Sequence, residues 1–518
     1  MKHAAFFLLL VMLWTGAASA AQRPVVVVPL DDRPVTRQLP VMLGAVAGIP
    51  VLTPPHAMLG NYLQPGDPQA LMRWLRSDAT AGAGAFVLST DMLVYGGLVA
   101  SRVPGIPAFL GYARLRDVVA LRDLHPGAPF YAFGTVMRLA PTGLPAIGPA
   151  AAFFAAGEDV DELTDYANLP DPPLTLEDRV AAHVLRKELG PVLDQYLATR
   201  RRNLDVDLFA LQLTAEGGFD RLVLGQDDAG PQGLHLADLA ALRAAQRRFQ
   251  ISGRTSIEPG ADELAMVLEA AAFAGRIGWT PRVGVVWSRP DAPSLNDPLE
   301  YAPLENTVDS IVRATGSVPD DVQPEIALFV RAAGTTPEQD RAFVRAIEEA
   351  LRRGRLVTVA DVSFLGGGLA DQRALTQELI AERIAGRLAG FASWNTAANT
   401  VGTALAAAIA AGVGRRQGTF SQTALAQFLL DRYADDYAFH QFVRPALNAA
   451  LEAADVDHEY LLPDVAQRVA NENRSLLWPD ALNLLTSIFP EYRDAGLTIT
   501  LPWDRTFETE LDVRLRPR

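Results

Sequence analysis

The sequence predicts an α/β fold built around a mainly parallel sheet. Three observations carry that expectation: short β-rich runs recur along most of the chain, each runs into a polar or glycine-bearing loop, and an amphipathic helical pattern intervenes before the next run. Alternating strand and helix signals imply crossover connections, which place successive strands parallel. About eight to ten strands suit an irregular TIM-like (β/α) barrel. The competing arrangement is a two-lobed, doubly wound α/β structure divided between Val283 and Pro324.

The chain opens with Lys2 and His3, an apolar run from Ala4 to Trp14, and small residues at Ala18 and Ala20. This pattern predicts a signal peptide over 1–20 and export to the periplasm or the exterior. No later segment offers the roughly 20 uninterrupted apolar residues of a membrane span, so none is expected. The strand signals then cover 25–29, 50–53, 85–89, 130–134, 221–225, 252–257, 283–287, 326–330, 356–359 and 390–393. Helical periodicity occupies 68–76, 113–124, 176–199, 234–250, 261–274, 337–353 and 372–389. Residues 21–416 therefore read as one α/β catalytic domain. From 417 the pattern becomes helix-rich, and 497–515 alternates like a hairpin, giving a C-terminal extension over 417–518.

Composition narrows the function. A net charge of −14 opposes nucleic-acid binding, which needs a concentrated basic face. With no cysteine, disulfides and thiolate metal sites are excluded. The 7 histidines are scattered, so no metal or other cofactor is expected. There is no Gly-x-Ser-x-Gly nucleophile elbow. The turn after Val28 lacks the dinucleotide glycine fingerprint, and Gly366-Gly367-Gly368 lacks the lysine and serine of a phosphate loop.

Polar residues gather instead where strands end, the place where ligands meet α/β folds. The apolar run Leu222–Leu224 leads through Gly225 and Gln226 into Asp227 and Asp228. Two close carboxylates do not ionise independently, so one becomes a proton donor beside an ionised partner. Consecutive strand residues face opposite ways, so this pair converges only if both lie in the turn beyond the strand. These two are the candidate catalytic residues.

The candidate substrate-binding residues follow the other strands. Asp31, Asp32 and Arg33 end the first; Asp31 pairing with Arg33 in a turn set by Pro34 is the structural alternative. Asp91 follows the third, and Arg138, an anchor for a carboxylate or sugar oxygen or else half of an ion pair, follows the fourth. Glu258 stands out from Asp262 and Glu263, which suit a helix N-terminus. Asp361 ends a late strand. Trp394 beside Asn395 and Asn399 offers an aromatic surface with two amides, although the asparagines equally suit a helix cap.

The motifs Val28–Pro34, Ser89–Gly97, Gly225–Asp228 and Ser393–Thr400 occur in an order that resembles a bacterial family known as domain of unknown function 4127, across most of the mature chain. That resemblance implies no reaction. The paired aspartates and the later aromatic-asparagine segment are also similar to O-GlcNAcase-type and hyaluronidase-like glycosidases. That second likeness implies that Asp227 orients a substrate acetamide while Asp228 serves as acid and base.

The expectation is an exported glycoside hydrolase acting on a polysaccharide or glycoconjugate, including one that contains N-acetylhexosamine. A metal-dependent hydrolase using Asp31, Asp91, Asp227 and Asp361, or a non-catalytic carbohydrate-binding protein, are the alternatives. A carbohydrate is the expected partner, with no oligomeric state implied.

Overall fold

Strand β1 (Val25–Val28) shows how the sequence builds the fold. Its four valines are all buried, with Val25 and Val27 in one core and Val26 and Val28 in another. A strand covered on both faces divides its side chains in this way. The structure, a computed structural model, describes residues 22–139 and 180–518 apart from 181, 182, 185, 189, 232 and 366–368. The expected signal peptide and the Gly366–Gly368 run lie outside the described residues.

The strands form two open parallel sheets. In the first, β1 is joined by β2 (Val51–Leu52), β3 (Ala85–Ser89), β4 (Phe130–Val136), β5 (Arg221–Gln226) and β6 (Thr255–Pro259), in the order β2-β1-β3-β4-β5-β6. The second contains β7 (Arg282–Trp287), β8 (Val318–Pro319), β9 (Ile326–Ala332), β10 (Leu356–Val362) and β11 (Gly390–Ala392), in the order β8-β7-β9-β10-β11. Counted within its own lobe, the second sheet runs 2-1-3-4-5, which is also the order of the first five strands of the first sheet. This is a doubly wound order, whose ligand crevice lies where the winding reverses, between strands 1 and 3.

The expected single barrel is thus corrected to the two-lobed alternative, with the sheets dividing before β7 and not between Val283 and Pro324. Closure would require the edge strands to pair, but β2 and β6 bound one sheet and β8 and β11 the other. Helices that a barrel would hold outside fill the space between the sheets. Ala397–Gln417 packs on Pro34–Ala47 and Leu264–Arg276 on one side and on β10 and β11 on the other. That helix is long and apolar enough to cross a membrane, yet its residues 397–414 are all buried. Its small residues permit the approach: a Cβ at Gly412 would strike the Trp279 ring, and one at Gly414 the backbone of Val46 and Ala47.

Local chemistry sets the helix ends. Pro34 starts Pro34–Ala47 where no N–H is needed, and Gly48 ends it at φ 71°. Thr336 and Gln339 form a capping box for Pro337–Arg352. One helix, Pro191–Ala215, runs well past the expected end at Thr199. Buried Arg200, Arg202, Asn203 and Asp207 interrupt its apolar period without breaking the backbone.

Beyond Gln417 come helices Gln422–Arg432, Arg444–Ala453 and Pro463–Ile488, with a π-helical stretch at Tyr433–Val443. An antiparallel hairpin of β12 (Tyr492–Thr500) and β13 (Glu510–Pro517) follows. The hairpin packs on Pro463–Ile488 and Gln422–Arg432. The segment joining its strands reaches back to the end of β1, where Trp503 Nε1 donates to Asp32 Oδ1 at 2.7 Å.

Candidate functional site

A cavity of 310 Å³ opens where the strands of the first sheet end. Arg33 follows β1, Leu98, Val99 and Arg102 follow β3, and Arg138 follows β4. Gln226, Asp227 and Asp228 come from the end of β5, and Gly260, Ala261 and Asp262 from that of β6. The second lobe adds Leu299 and Glu300 and, after β11, Asn395, Thr396 and Asn399. The site therefore includes the β1/β3 reversal, where the doubly wound order places a ligand.

Asp227 and Asp228 both lie past the last residue of β5, which meets the geometric condition for convergence. Their partners differ. Asp227 is buried, and its Oδ2 accepts from Arg102 Nη2 at 2.5 Å and Nε at 3.0 Å. Asp228 is partly open to the cavity and, among the described residues, takes a single side-chain bond, from Arg138 Nη1 at 3.2 Å. Burial raises the Asp228 carboxyl above the usual carboxylate range, with Arg138 opposing. Arg200 Nη1 donates to the carbonyls of Met137 and Arg138 at 3.1 Å and fixes the backbone that presents Arg138.

The floor is a charged clamp. Arg33 Nε and Nη2 donate to Asp31, while its Nη1 and Nη2 reach Asp262 at 3.0 and 2.6 Å. Burial opposes the charge on Arg33, but Asp262 and Asp31 outweigh it and its pKa rises. Above it, Tyr62 and Trp503 stack with ring centroids 4.8 Å apart. The Arg33 guanidinium stands 5.0 Å and that of Arg505 4.6 Å from the Trp503 ring. Asp32 anchors this wall by accepting from Trp503, and its Oδ2 lies 3.0 Å from His56 Nε2. Burial raises Asp32.

Opposite stands the start of helix Ala397–Gln417, capped by Thr396. Asn395 adopts the left-handed conformation at φ 55°, a strained position that asparagine tolerates better than most residues. Its Nδ2 donates to Asn399 Oδ1 at 2.7 Å, and Asn399 Nδ2 donates to Glu263 at 2.6 Å. Asp297 and Glu300 accept from the N–H groups of Ala397 and Ala398. Burial, with Asp297 nearby, pushes Glu300 up to about 8.

The family model described as a protein of unknown function, DUF4127, matches residues 25–512 and so spans both lobes and the chain beyond them as far as the start of β13. The chain belongs to the DUF4127 family. No curated protein and no solved structure matches it. In this DUF4127 chain the four motifs converge unequally. Arg33, Asp227, Asp228, Asn395 and Asn399 line one cavity. Asp91 stands behind them, accepting from the Thr135 N–H at 2.8 Å, with burial pushing it up to about 7.

Other expected binding residues are corrected. Asp31 and Asp32 do not line the cavity but hold Arg33 and Trp503 from behind. Glu258 faces a separate cavity of 430 Å³ beside Arg243 and Tyr301, because adjacent strand residues point to opposite sides. Asp361 ends β10 in the other lobe and belongs to a buried network around Arg331. Trp394 turns into the core, its Nε1 donating to Thr403 Oγ1 at 3.3 Å. The aromatic wall is Tyr62 and Trp503 instead.

Asp262, expected to serve a helix N-terminus, clamps Arg33 and faces the cavity. The four acids of the metal-hydrolase alternative do not converge, and no metal-holding group of His, Asp and Glu occurs among the described residues. Arg102, Tyr62, Trp503 and Arg505 were missed as site residues. Only Arg102, downstream of the Ser89–Gly97 motif, carried a sequence signal.

Proposed function

We propose that the cavity hydrolyses a glycosidic bond in a polysaccharide or glycoconjugate, with Asp228 as general acid and Asp227 orienting the reacting group. The observation that carries this reading is the unequal pairing of two adjacent carboxylates in one cavity. A buried two-point salt bridge fixes Asp227, whereas Asp228 has one partner, access to the cavity and a raised pKa, as proton donation requires. The Tyr62–Trp503 wall and the Asn395–Asn399 amides supply a face for a sugar ring and bonds for its substituents. The open sheets lend no fold-level support to a likeness with barrel glycosidases, so the case stands on the site.

On an N-acetylhexosaminide, the acetamide oxygen attacks the anomeric carbon while the bond to the leaving oxygen breaks. Asp228 gives that oxygen its proton. Water then opens the cyclic intermediate, with the Asp228 carboxylate taking the water proton, so the acid is restored. Asp227 accepts the acetamide N–H as positive charge develops.

The test is product release by the purified protein from defined glycans and aryl glycosides, N-acetylhexosaminides included. Wild-type release that falls about 100-fold or more in Asp228→Asn, with an unchanged melting temperature, supports the proposal. Equal rates for the two proteins overturn it. Saturable sugar binding without product replaces it with the non-catalytic carbohydrate-binding reading.

A further inference from the structure

The arginines around the cavity are not equally committed. Arg33 is clamped by Asp31 and Asp262, Arg102 by Asp227, and Arg505 makes a two-point pair with Glu508. Arg138 differs. Among the described residues its only salt bridge is the 3.2 Å contact from Nη1 to Asp228, and its Nε is a buried donor with no hydrogen-bond partner. Arg138 lines the cavity with its side chain 26 % exposed, and a planar, two-oxygen acceptor placed there satisfies more of the guanidinium than the single bond to Asp228 does.

Charge points the same way. Arg102 and Arg138 face Asp227 and Asp228, and the two cations repel one another. The proposed reaction begins with Asp228 protonated, which leaves Arg102 and Arg138 to share the charge of Asp227 among the described residues. An anion on the substrate restores the balance at the moment the acid is armed. The Arg200 bonds to the Met137 and Arg138 carbonyls hold the backbone that carries this guanidinium.

We propose that Arg138 is the specificity residue of the cavity and binds the carboxylate of an acidic sugar, so that the substrate carries a hexuronic acid or an equivalent sugar carboxylate. This rests on the proposed hydrolytic reading for its protonated Asp228, but it concerns binding and is tested by binding.

The experiment is calorimetric titration of the full mature protein with methyl glycosides in matched pairs: glucuronide against glucoside, and galacturonide against galactoside. Glucose 6-sulfate separates carboxylate recognition from attraction by charge alone. At least about tenfold tighter binding of the uronide in one pair is expected, since a charge-assisted fork is at stake. Arg138→Gln should reduce that ratio to about twofold or less, while Arg138→Lys, which keeps the charge without the fork, should leave an intermediate ratio. Melting curves of both variants establish that they are folded.

A ratio below about tenfold in both pairs, no binding of any probe, sulfate binding equal to the uronide, or a ratio untouched by Arg138→Gln overturns the proposal. Uronide binding that depends on Arg138 but yields no turnover on any glycan leaves this assignment standing and removes the hydrolytic one. Turnover of neutral glycosides with no preference for uronides does the reverse.

Discussion

In the first lobe an arginine just beyond β1, Arg33, is gripped by Asp31 and Asp262; in the second an arginine near the end of β9, Arg331, is gripped by Asp340 and Asp371, with Asp361 3.7 Å away. The two sheets share their strand order up to the fifth strand, and both place arginine and aspartate at strand ends. Arg33 lies at the wall of a cavity, beneath the Trp503 ring. Arg331 is fully buried, and beside it Ser288 and Thr335 hydrogen-bond across the equivalent β7/β9 reversal at 2.7 Å. The same local chemistry is thus part of a site in one lobe and of the core in the other. What separates them is tertiary: loops and a distant hairpin line the first crevice, whereas in the second Ser288 and Thr335 bridge the reversal beside a fully buried arginine.

The largest test of this contrast is stability. Arg331→Met leaves buried Asp340 and Asp361 and half-buried Asp371 without their cation and should lower unfolding free energy by about 3–5 kcal/mol, measured in urea. Arg33→Met should cost less, because Arg33 and its partner Asp262 border a cavity that water can enter. A smaller loss for Arg331→Met than for Arg33→Met breaks the comparison.

Activity tests it next. Asp228→Asn should lower turnover by about 100-fold or more, and Asp361→Asn by less than about twofold once the fraction folded is matched. A comparable loss in both variants would mean that the second crevice takes part in the chemistry.

The hairpin contribution is smaller. Trp503→Phe keeps an aromatic ring, though a smaller one, and removes the N–H that anchors Asp32, a bond to a charged group worth about 2 kcal/mol. The expected outcome is a raised KM with kcat nearly preserved, measured on whichever glycan is turned over. An unchanged KM would assign the hairpin to the fold alone.

These contrasts also explain what could be read in the sequence. The ten expected strands all formed, most of them because β-branched runs buried on both faces carry a strong local signal; β8 escaped, since Val318 and Pro319 are exposed and give none. The candidate site was legible where residues follow strands of the first sheet, as with Arg33, Arg138, Asp227 and Asp228. Asp361 and Glu258 carry the same local signature, yet packing turned one into a core network and the other toward a different cavity. Trp503 was invisible because its link to Asp32 crosses 471 residues of sequence. The barrel expectation failed for a related reason: strand count does not reveal that Ala397–Gln417 lies between two sheets.

The finest test is the pH dependence of stability, in which the lobes should separate. Burial pushes Glu258 up to about 8 and, in the second lobe, Asp361 up to about 6. Each raised acid keeps in the folded state a proton that the unfolded chain has already lost above its ordinary carboxylate pKa. Its stabilising contribution is complete below that ordinary value, declines as pH rises and is gone above the folded pKa. The slope is about 1.4 kcal/mol per pH unit for each proton. Glu258→Gln should therefore flatten the loss of stability between about pH 6 and 8, a window in which Asp361→Asn has little left to change. Asp361→Asn should act below about pH 6 instead. Urea titrations at each pH unit from 5 to 9 would show two displaced windows, and coincident curves for the two variants would remove the electrostatic difference between the lobes.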